Sequence, residues 1–299
     1  WGQARAYMVD PAVADITTTQ AVLTGMGSIV GSWLAYDVLI KTLWTRPKLV
    51  SLIGVVGITA LAYGLTQTLS ARAAYIHIGA IIGTIMAANV LFVIIPNQRV
   101  MVNAMLEGRE PDTSKGAAGA LRSLHNNYLT LPVLFIMVSN HFPFTYGSSW
   151  SWAILIAISV IGAMGRHWFN LHERGIKNQW LLPAAALALF SLALALKPAD
   201  RDAPALNEDQ AATVGWDEVE PIFERRCTPC HAESPSHPSF AEAPLGMMMD
   251  TPERVAAKAD AIHEQSVVQK TMPIGNLTEM TDEERSIVAA WYASGAPTE

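Results

Sequence analysis

Long apolar stretches recur through the first two thirds of the chain, and each is close to the ~20 residues that a membrane-crossing helix needs. Polar residues interrupt two of them: Asp37 lies inside the first, and polar side chains fill the start of the fourth. Counting both, we predict six spans, at residues 21–43, 49–69, 73–95, 124–140, 150–168 and 180–196. The predicted fold class is all-α: a polytopic transmembrane helix bundle, followed by a smaller helical domain.

Composition and charge divide the chain into two regions. It is 51% hydrophobic and only 15% charged, which is less charge than soluble domains usually carry. Residues 1–198 hold 13 Lys and Arg against 7 Asp and Glu, whereas residues 199–299 hold 7 against 19. We therefore predict a membrane domain at 1–197, a flexible linker at 198–213 and an outer domain at 214–299. Since the chain begins at Trp1, with neither Met nor a signal peptide, we expect it to be a piece of a longer protein.

The basic residues of the loops predict the orientation of the bundle. The loops after spans one, three and five are rich in Lys and Arg, whereas those after spans two and four contain only Arg72. Because basic loops stay on the cytoplasmic side, the first group of loops is predicted to be cytoplasmic. The N-terminal segment and the C-terminal domain then both lie outside, on the periplasmic side of a bacterial inner membrane.

Both cysteines of the chain lie in one short run, CTPCH, from Cys227 to His231. C-x-x-C-H is the attachment signature of c-type haem, in which the thiols add to the haem vinyl groups and the histidine binds the iron. A zinc site would need further Cys or well-spaced His, and a thioredoxin-like pair would need a βαβ pattern around it. The sequence has neither, so we predict a covalent haem c held by Cys227, Cys230 and His231.

The rest of the C-terminal region is typical of a small class I cytochrome c. A short helix is predicted around Trp216–Arg226, directly before CTPCH. A last helix begins at a capping box formed by Thr281 and Glu284, and Gly295 and Pro297 end it. These two helices are expected to pack against each other.

The haem iron needs a second axial ligand, and we predict Met272. The string TMPIGN places this methionine before a proline, in the loop that precedes the last helix. A thioether ligand raises the reduction potential, as suits a cytochrome that feeds a terminal oxidase. The alternatives, which apolar packing or surface placement also explains, are Met247, Met248, Met249, Met280, His237 and His263.

A cluster of polar residues opens span four: Arg122, His125, Asn126, Asn127 and Tyr128. Ionisable groups within a membrane indicate a functional site by default. Arg122, His125 and Asn126 have i, i+3 and i+4 spacing, so they share one helix face and can converge on one ligand. The competing interpretation is that Arg122 only enforces the topology and the amides cap the helix start.

Three strings resemble the bacterial membrane-bound urate oxidases, which join a urate-oxidase N-terminal membrane domain to a C-terminal cytochrome c. They are YIHIGAIIGTIMAANVLFVIIPNQR, RSLHNNYLTLPVLF and MPIGNLTEMTDEER, at 75–99, 122–135 and 272–285. The resemblance covers essentially the whole chain. Chains of that family begin further upstream, with more membrane helices and more histidines, which implies that part of the active site lies before Trp1.

The resemblance implies oxidation of urate to 5-hydroxyisourate, with water supplying the oxygen, electrons leaving through haem c and no hydrogen peroxide formed. In such a site Arg122 is expected to hold the anion, His125 to act as general base and Asn126 to fix orientation. The expected partners are urate, the lipid bilayer and a terminal oxidase or soluble cytochrome as electron acceptor, and no nucleic acid. Two other functions stay open: an electron-transfer subunit that relays electrons from a partner or quinol, and a polar-lined carrier fused to a cytochrome.

The distance between the polar cluster of span four and the predicted haem c raises the question of a second redox centre. The cluster at 122–128 is predicted at the inner leaflet, whereas haem c is predicted outside, a bilayer core of ~30 Å away. Urate also releases two electrons, and one haem accepts them one at a time. The candidate is a membrane haem b held by His77 or His141 together with upstream histidines. The presence of His167 and His172 is explained by placement at the membrane–water interface.

Overall fold

The computed structural model describes residues 4–148, 150–196 and 214–299. Over these residues it contains helices and turns and no strand, which confirms the all-α prediction for the described part of the chain. Contacts divide the chain into two units. We call the unit of Val22–Gln67 and Ala71–Lys197 the apolar unit, and the unit of Trp1–Ala21, Thr68–Ser70 and Pro198–Glu299 the acidic unit. The predicted linker at 198–213 lies outside the described residues.

The first part of the chain folds into a series of helices joined by short turns. They are α1 (Ala4–Met8), α2 (Thr18–Leu43), α3 (Pro47–Thr66), α4 (Ala71–Ala88), α5 (Ile95–Leu106), α6 (Thr113–Val138), α7 (Pro143–Tyr146), α8 (Ser151–Glu173) and α9 (Leu181–Leu196). A π-helical segment, Asn89–Ile94, joins α4 to α5 without a break, and a 3-10 turn, Ser139–His141, follows α6.

Four stretches in the described residues are helices long and apolar enough to cross a membrane: α2, α3, the continuous helix Ala71–Leu106, and α8. They correspond to the first, second, third and fifth predicted spans, and they are compatible with a multi-pass membrane protein. Large apolar side chains are exposed along α2 at helical spacing, an arrangement that suits lipid better than water. They are Leu23, Met26, Val30, Leu34 and Val38.

The fourth and sixth predicted spans correspond to α6 and α9. Helix α6 has 26 residues, but the polar cluster lies across its middle, and α9 has only 16 residues. That these two helices cross the membrane stays a prediction.

The helix that contains the third predicted span continues past residue 95 to Leu106, and the end of the span at residue 95 stays a prediction. Pro96 lies inside this continuous helix, although proline removes a backbone hydrogen bond in a helix interior. In the structure the π-helical segment Asn89–Ile94 lies directly before it, and α5 begins at Ile95 with Pro96 in its first turn, where the missing N–H is tolerated. The widened turn therefore lets one helix pass through the proline.

Helix α6 is the centre of the apolar unit and packs against α4, the π-helical segment, α5 and α8. Glycines in α4 and α8 allow these two helices to approach α6 closely. A Cβ built on Gly79 of α4 would lie 2.6 Å from Ile136 Cγ2, and one on Gly162 of α8 would lie 3.2 Å from Leu131 Cβ. Small residues at helix contacts are how membrane helices gain packing energy without a hydrophobic driving force.

The C-terminal part of the acidic unit contains α10 (Trp216–Arg226), α11 (Pro252–Ala256), α12 (Ala259–Ile262), a π-helical segment (His263–Val268) and α13 (Asp282–Ala293). The predicted helix before CTPCH and the predicted capping box at Thr281 and Glu284 are confirmed. Helices α10 and α13 pack through aromatic rings, with the Trp291 ring 5.3 Å from Phe223 and 6.4 Å from Trp216. The expected contact between the two helices is therefore present.

The N-terminal segment packs within the same acidic unit. Helix α1 contacts the turn Ile274–Asn276, and a Cβ on Gly275 would lie 2.7 Å from the carbonyl oxygen of Val9. Gly275 also has a positive φ of 55°, so both its backbone conformation and its surroundings require glycine. Ser70 completes this arrangement by donating its hydroxyl to Tyr7 O at 2.7 Å.

Candidate functional site

Arg122, the first of the predicted site residues, is buried in the apolar unit with 4% of its side chain exposed. Its Nη2 donates to Asp37 Oδ1 at 2.7 Å and its Nη1 to Asn89 Oδ1 at 3.3 Å. Its guanidinium carbon lies 4.9 Å from the centre of the Tyr36 ring. Asp37 also pairs with Lys41 Nζ, at 2.6 Å. The charge of Arg122 is therefore already balanced by a carboxylate, as a buried arginine requires.

His125 and Asn126 belong to the same network as Arg122. The Nδ1 of His125 and the hydroxyl oxygen of Tyr36 form a hydrogen bond of 2.8 Å. Asn126 donates through Nδ2 to Met86 O at 2.9 Å and accepts through Oδ1 from Asn89 Nδ2 at 2.8 Å. Within the described part of the chain His125 Nε2 has no hydrogen-bond partner. This nitrogen is available to a ligand.

Asn89 joins the network from the first position of the π-helical segment. Its side chain is 2% exposed, and its Nδ2 also donates to the Tyr36 hydroxyl at 3.1 Å. π-helical turns are rare and occur frequently at functional sites, because the extra residue in the turn redirects side chains. The network, which we call the Arg122 network, thus joins α2, α6 and this segment through Tyr36, Asp37, Asn89, Arg122, His125 and Asn126.

The next residue of α6, Asn127, lies on a different face and contacts α8. Its Oδ1 accepts from Arg166 Nε at 2.7 Å and from Asn170 Nδ2 at 3.0 Å. Asn170 is 7% exposed, so the amide pair is largely shielded from solvent. Beside it, the Tyr128 hydroxyl and His167 Nδ1 are 2.5 Å apart. The predicted polar cluster therefore forms two groups, which lie on different faces of α6.

A cleft of about 460 Å³ lies between α6 and the C-terminal end of α8. Its polar lining combines amides with charged groups, and its remaining lining is apolar. The lining residues are Ala120, Leu121, Ser123, Leu124, Asn127, Asn170, Glu173 and Arg174. Apolar walls with a few convergent polar groups are typical of small-molecule sites, whose volumes are ~300–1,000 Å³.

In the acidic unit, CTPCH forms a tight turn directly after α10. The N–H groups of Cys230 and His231 donate to Cys227 O at 3.1 and 2.9 Å. Burial raises the pKa of Cys227 to about 12 and also raises the pKa of Cys230. The turn brings both thiols and the histidine together, as covalent attachment of haem requires.

His231 has the orientation that an iron-binding histidine needs. Its Nδ1 lies 2.9 Å from the carbonyl oxygen of Met247, to which it can donate a hydrogen bond. A backbone carbonyl on one ring nitrogen fixes the tautomer and leaves Nε2 to bind a metal. Cys227, Cys230 and His231 therefore fit a haem c.

The candidate axial methionines have different environments. Met249 and Met280 are buried in the core of the acidic unit, and Met247 packs against that core. The sulfur of Met248 accepts from Arg254 Nη1 at 3.7 Å. Met272 is half-buried, and its backbone N–H donates to Gln265 O at 3.0 Å. Met247, Met248 and Met272 are all half-buried, and the role of Met272 as the axial ligand stays a prediction.

Arg285 of α13 holds the loop that carries Met272. It is 4% exposed, and it donates through Nη1 to Ser266 O and, at 2.8 Å, to Met272 O. Its Nη2 reaches Asn276 Oδ1 at 3.4 Å. Burial lowers the pKa of Arg285, and in the described residues no carboxylate lies within ion-pair distance of it. The loop is therefore fixed by a buried cation that is bonded to neutral oxygens.

The other histidines considered as haem ligands, His77, His141 and His263, do not form a cluster. His77 Nδ1 lies 2.8 Å from Ala73 O, which leaves Nε2 open, and His141 is exposed. His263 stacks on Tyr292 at 4.2 Å, and burial lowers its pKa. Among the residues that the structure describes, no group of three or more His, Cys, Asp or Glu side chains is placed to hold a metal ion. A membrane haem on His77 or His141 stays a prediction.

Comparison with known proteins identifies the apolar part of the chain. The sequence profile described as urate oxidase N-terminal matches residues 1–197. The chain belongs to the urate oxidase N-terminal family. Neither a curated protein nor a solved structure matches it. Membership in this family indicates an oxidoreductase that acts on urate, and it places the Arg122 network and the cleft beside α8 inside the matched region.

The sequence analysis does not assign five members of the two polar groups to the candidate site. They are Tyr36, Asp37, Asn89, Arg166 and Asn170, and all contribute side-chain contacts to α6. In the sequence, Asp37 is only an interruption of the first span. The signal that pointed to them is their polarity within otherwise apolar stretches.

Proposed function

We propose that this protein oxidises urate to 5-hydroxyisourate and passes the electrons to a covalent haem c in its own acidic unit. The observation that carries the proposal is the joining, in one chain, of the urate oxidase N-terminal match to a CTPCH turn whose residues fit haem c. Urate takes up one water and releases two protons and two electrons. No oxygen is consumed at the site, and no hydrogen peroxide is formed.

Cys227 and Cys230 would hold the haem covalently, with His231 and Met272 as the two iron ligands. When bound, haem c supplies a one-electron acceptor. The chain's own part is to hold His231 through the Met247 carbonyl and to fix the Met272 loop through Arg285. The periplasmic side of the inner membrane is the proposed location of this unit, and a terminal oxidase or soluble cytochrome is the proposed electron acceptor.

In the apolar unit, Arg122, His125 and Asn126 are proposed to serve the reaction in distinct ways. His125 is the candidate general base, because Tyr36 occupies Nδ1 and leaves Nε2 to take a proton from the attacking water. Arg122 and Asn126 position Tyr36 and Asn89, since their own donors and acceptors are engaged within the network.

The test is to add urate to membranes that contain the full-length protein and to follow the haem c absorption bands. Reduction of haem c by urate without a partner protein is the expected result. A variant with Cys227→Ala and Cys230→Ala is the matched control, and urate should give no haem signal there. A wild-type haem that stays oxidised with urate but is reduced by a quinol would favour the electron-relay function.

A further inference from the structure

The turn Ile274–Asn276, which follows Met272, is in contact with the part of the chain that precedes α2. The carbonyl oxygens of Ala6 and Val9 lie 3.2 and 2.7 Å from the position that a Cβ on Gly275 would take. Ala6 and Val9 are buried, with 0% and 5% of their surface exposed. The contact therefore joins two backbones directly and leaves no room for a side chain at position 275.

A third part of the chain, the turn between α3 and α4, holds α1 in place. The N–H of Ser70 donates to Met8 O at 3.0 Å, and its hydroxyl donates to Tyr7 O at 2.7 Å. Ser70 is 6% exposed and its neighbour Leu69 is 0% exposed. A helix of five residues is marginal by itself, so these shielded hydrogen bonds are expected to fix its position.

The same segment also acts on Arg285, the buried cation that holds the Met272 loop. Burial lowers the pKa of Arg285, whereas the charge of Asp10 is one of several that raise it. Arg285 in turn donates to Met272 O at 2.8 Å. The residues before α2 therefore reach the Met272 loop in two ways, by backbone contact and by charge.

We propose that residues 4–10 form a docking surface for the loop 272–276, and that this contact positions Met272 for the haem iron. A ligand that is carried by a loop keeps its position only as well as the loop is held. The surface adds a support to those given by Arg285 and by the carbonyl oxygen of Gln265. The inference rests on the proposed function, because it takes Met272 as the axial ligand.

The predicted orientation of the bundle agrees with this contact. The charges of the loops predict that the N-terminal segment, the turn after span two and the C-terminal region lie on the same side of the membrane. The three stretches Trp1–Ala21, Thr68–Ser70 and Pro198–Glu299 belong to one compact unit, which requires that they share a side. The contact and the charge pattern are independent observations, and they agree.

Hydrogen–deuterium exchange of the full-length protein in lipid nanodiscs tests the docking surface from both of its sides. Val9→Asn makes a buried position of the segment polar, and Gly275→Ala places a methyl group against Val9 O. Exchange at the amides of Thr271 and Met272 should become at least tenfold faster in both variants. Gly275→Ala should also speed exchange at the amide of Val9, which donates to Arg5 O at 3.1 Å.

Each variant has a matched control. Val13→Asn makes the same change in the same segment at a position that is 38% exposed. Gly246→Ala makes the same change at a glycine with a similar positive φ of 65°, but with nothing within 4 Å of its Cβ. The amides of Thr271 and Met272 should exchange in both controls as they do in the wild type.

The sulfur–iron charge-transfer band of the oxidised haem reports on the position of Met272, and it should weaken in Val9→Asn and Gly275→Ala. Wild-type exchange in both of these variants would overturn the proposal. So would faster exchange with an unchanged band, provided that Met272→Ala abolishes the band. If Met272→Ala leaves the band unchanged, or if urate does not reduce the wild-type haem, it is the proposed function that fails, and the exchange rates still decide whether the surface docks the loop.

Discussion

Replacement of Arg285 by Met is expected to release the loop that carries Met272. The change removes two charge-assisted hydrogen bonds, to Ser266 O and Met272 O, each worth about 1.5–3 kcal/mol. Methionine avoids the desolvation of a buried guanidinium, which offsets part of that loss. We therefore expect the loop to lose about 3 kcal/mol of stability against local opening.

Hydrogen–deuterium exchange of the full-length protein measures this effect without reference to the haem. The amides of Thr271 and Met272 donate to Gln265 O at 2.8 and 3.0 Å, and they report on the loop. A loss of about 3 kcal/mol corresponds to exchange that is roughly a hundredfold faster. Arg225→Met is the matched control, because Arg225 is 60% exposed and its contact with Glu284 is 3.5 Å long. Equal exchange rates in Arg285→Met and wild type would refute the reasoning.

Three further predictions follow from the same contacts. Met272→Ala should keep haem attached through Cys227 and Cys230 but abolish the sulfur–iron charge-transfer band and lower the potential, whereas an unchanged band would move the ligand role to residues 247–249. His125→Gln should lower the rate of urate-dependent haem reduction by about 10²–10⁴-fold, and a normal rate would make the Arg122 network purely structural. Gly162→Leu should lower the thermal midpoint of the membrane-embedded protein, because its Cβ would lie 3.2 Å from Leu131 Cβ. Gly165→Leu, with nothing within 4 Å of its Cβ, is the control, and equal effects would contradict the packing account.

Structural elements that depend on residues close together in the sequence were predicted correctly. The helix Trp216–Arg226 and the capping box of Thr281 and Glu284 depend on residues a few positions apart, and both are confirmed. The continuation of the third helix through Pro96 could not be predicted in the same way, because it depends on a preceding π-helical turn that has no short-range sequence signal.

The candidate site could be predicted only in part because its contacts are between distant residues. The i, i+3, i+4 spacing correctly placed Arg122, His125 and Asn126 in one network. It could not show that Asp37, 85 positions away, already pairs with Arg122. Nor could it show that Asn127, one residue further along α6, contacts Arg166 on a different helix face.

The most direct test of the central claim is an anaerobic titration of the oxidised full-length protein with urate in water enriched in ¹⁸O. The account predicts that each urate reduces two haem c equivalents, and that 5-hydroxyisourate carries the heavy oxygen. In air, no hydrogen peroxide should accumulate. A haem that stays oxidised without oxygen, together with product formed and peroxide released only in air, would contradict it.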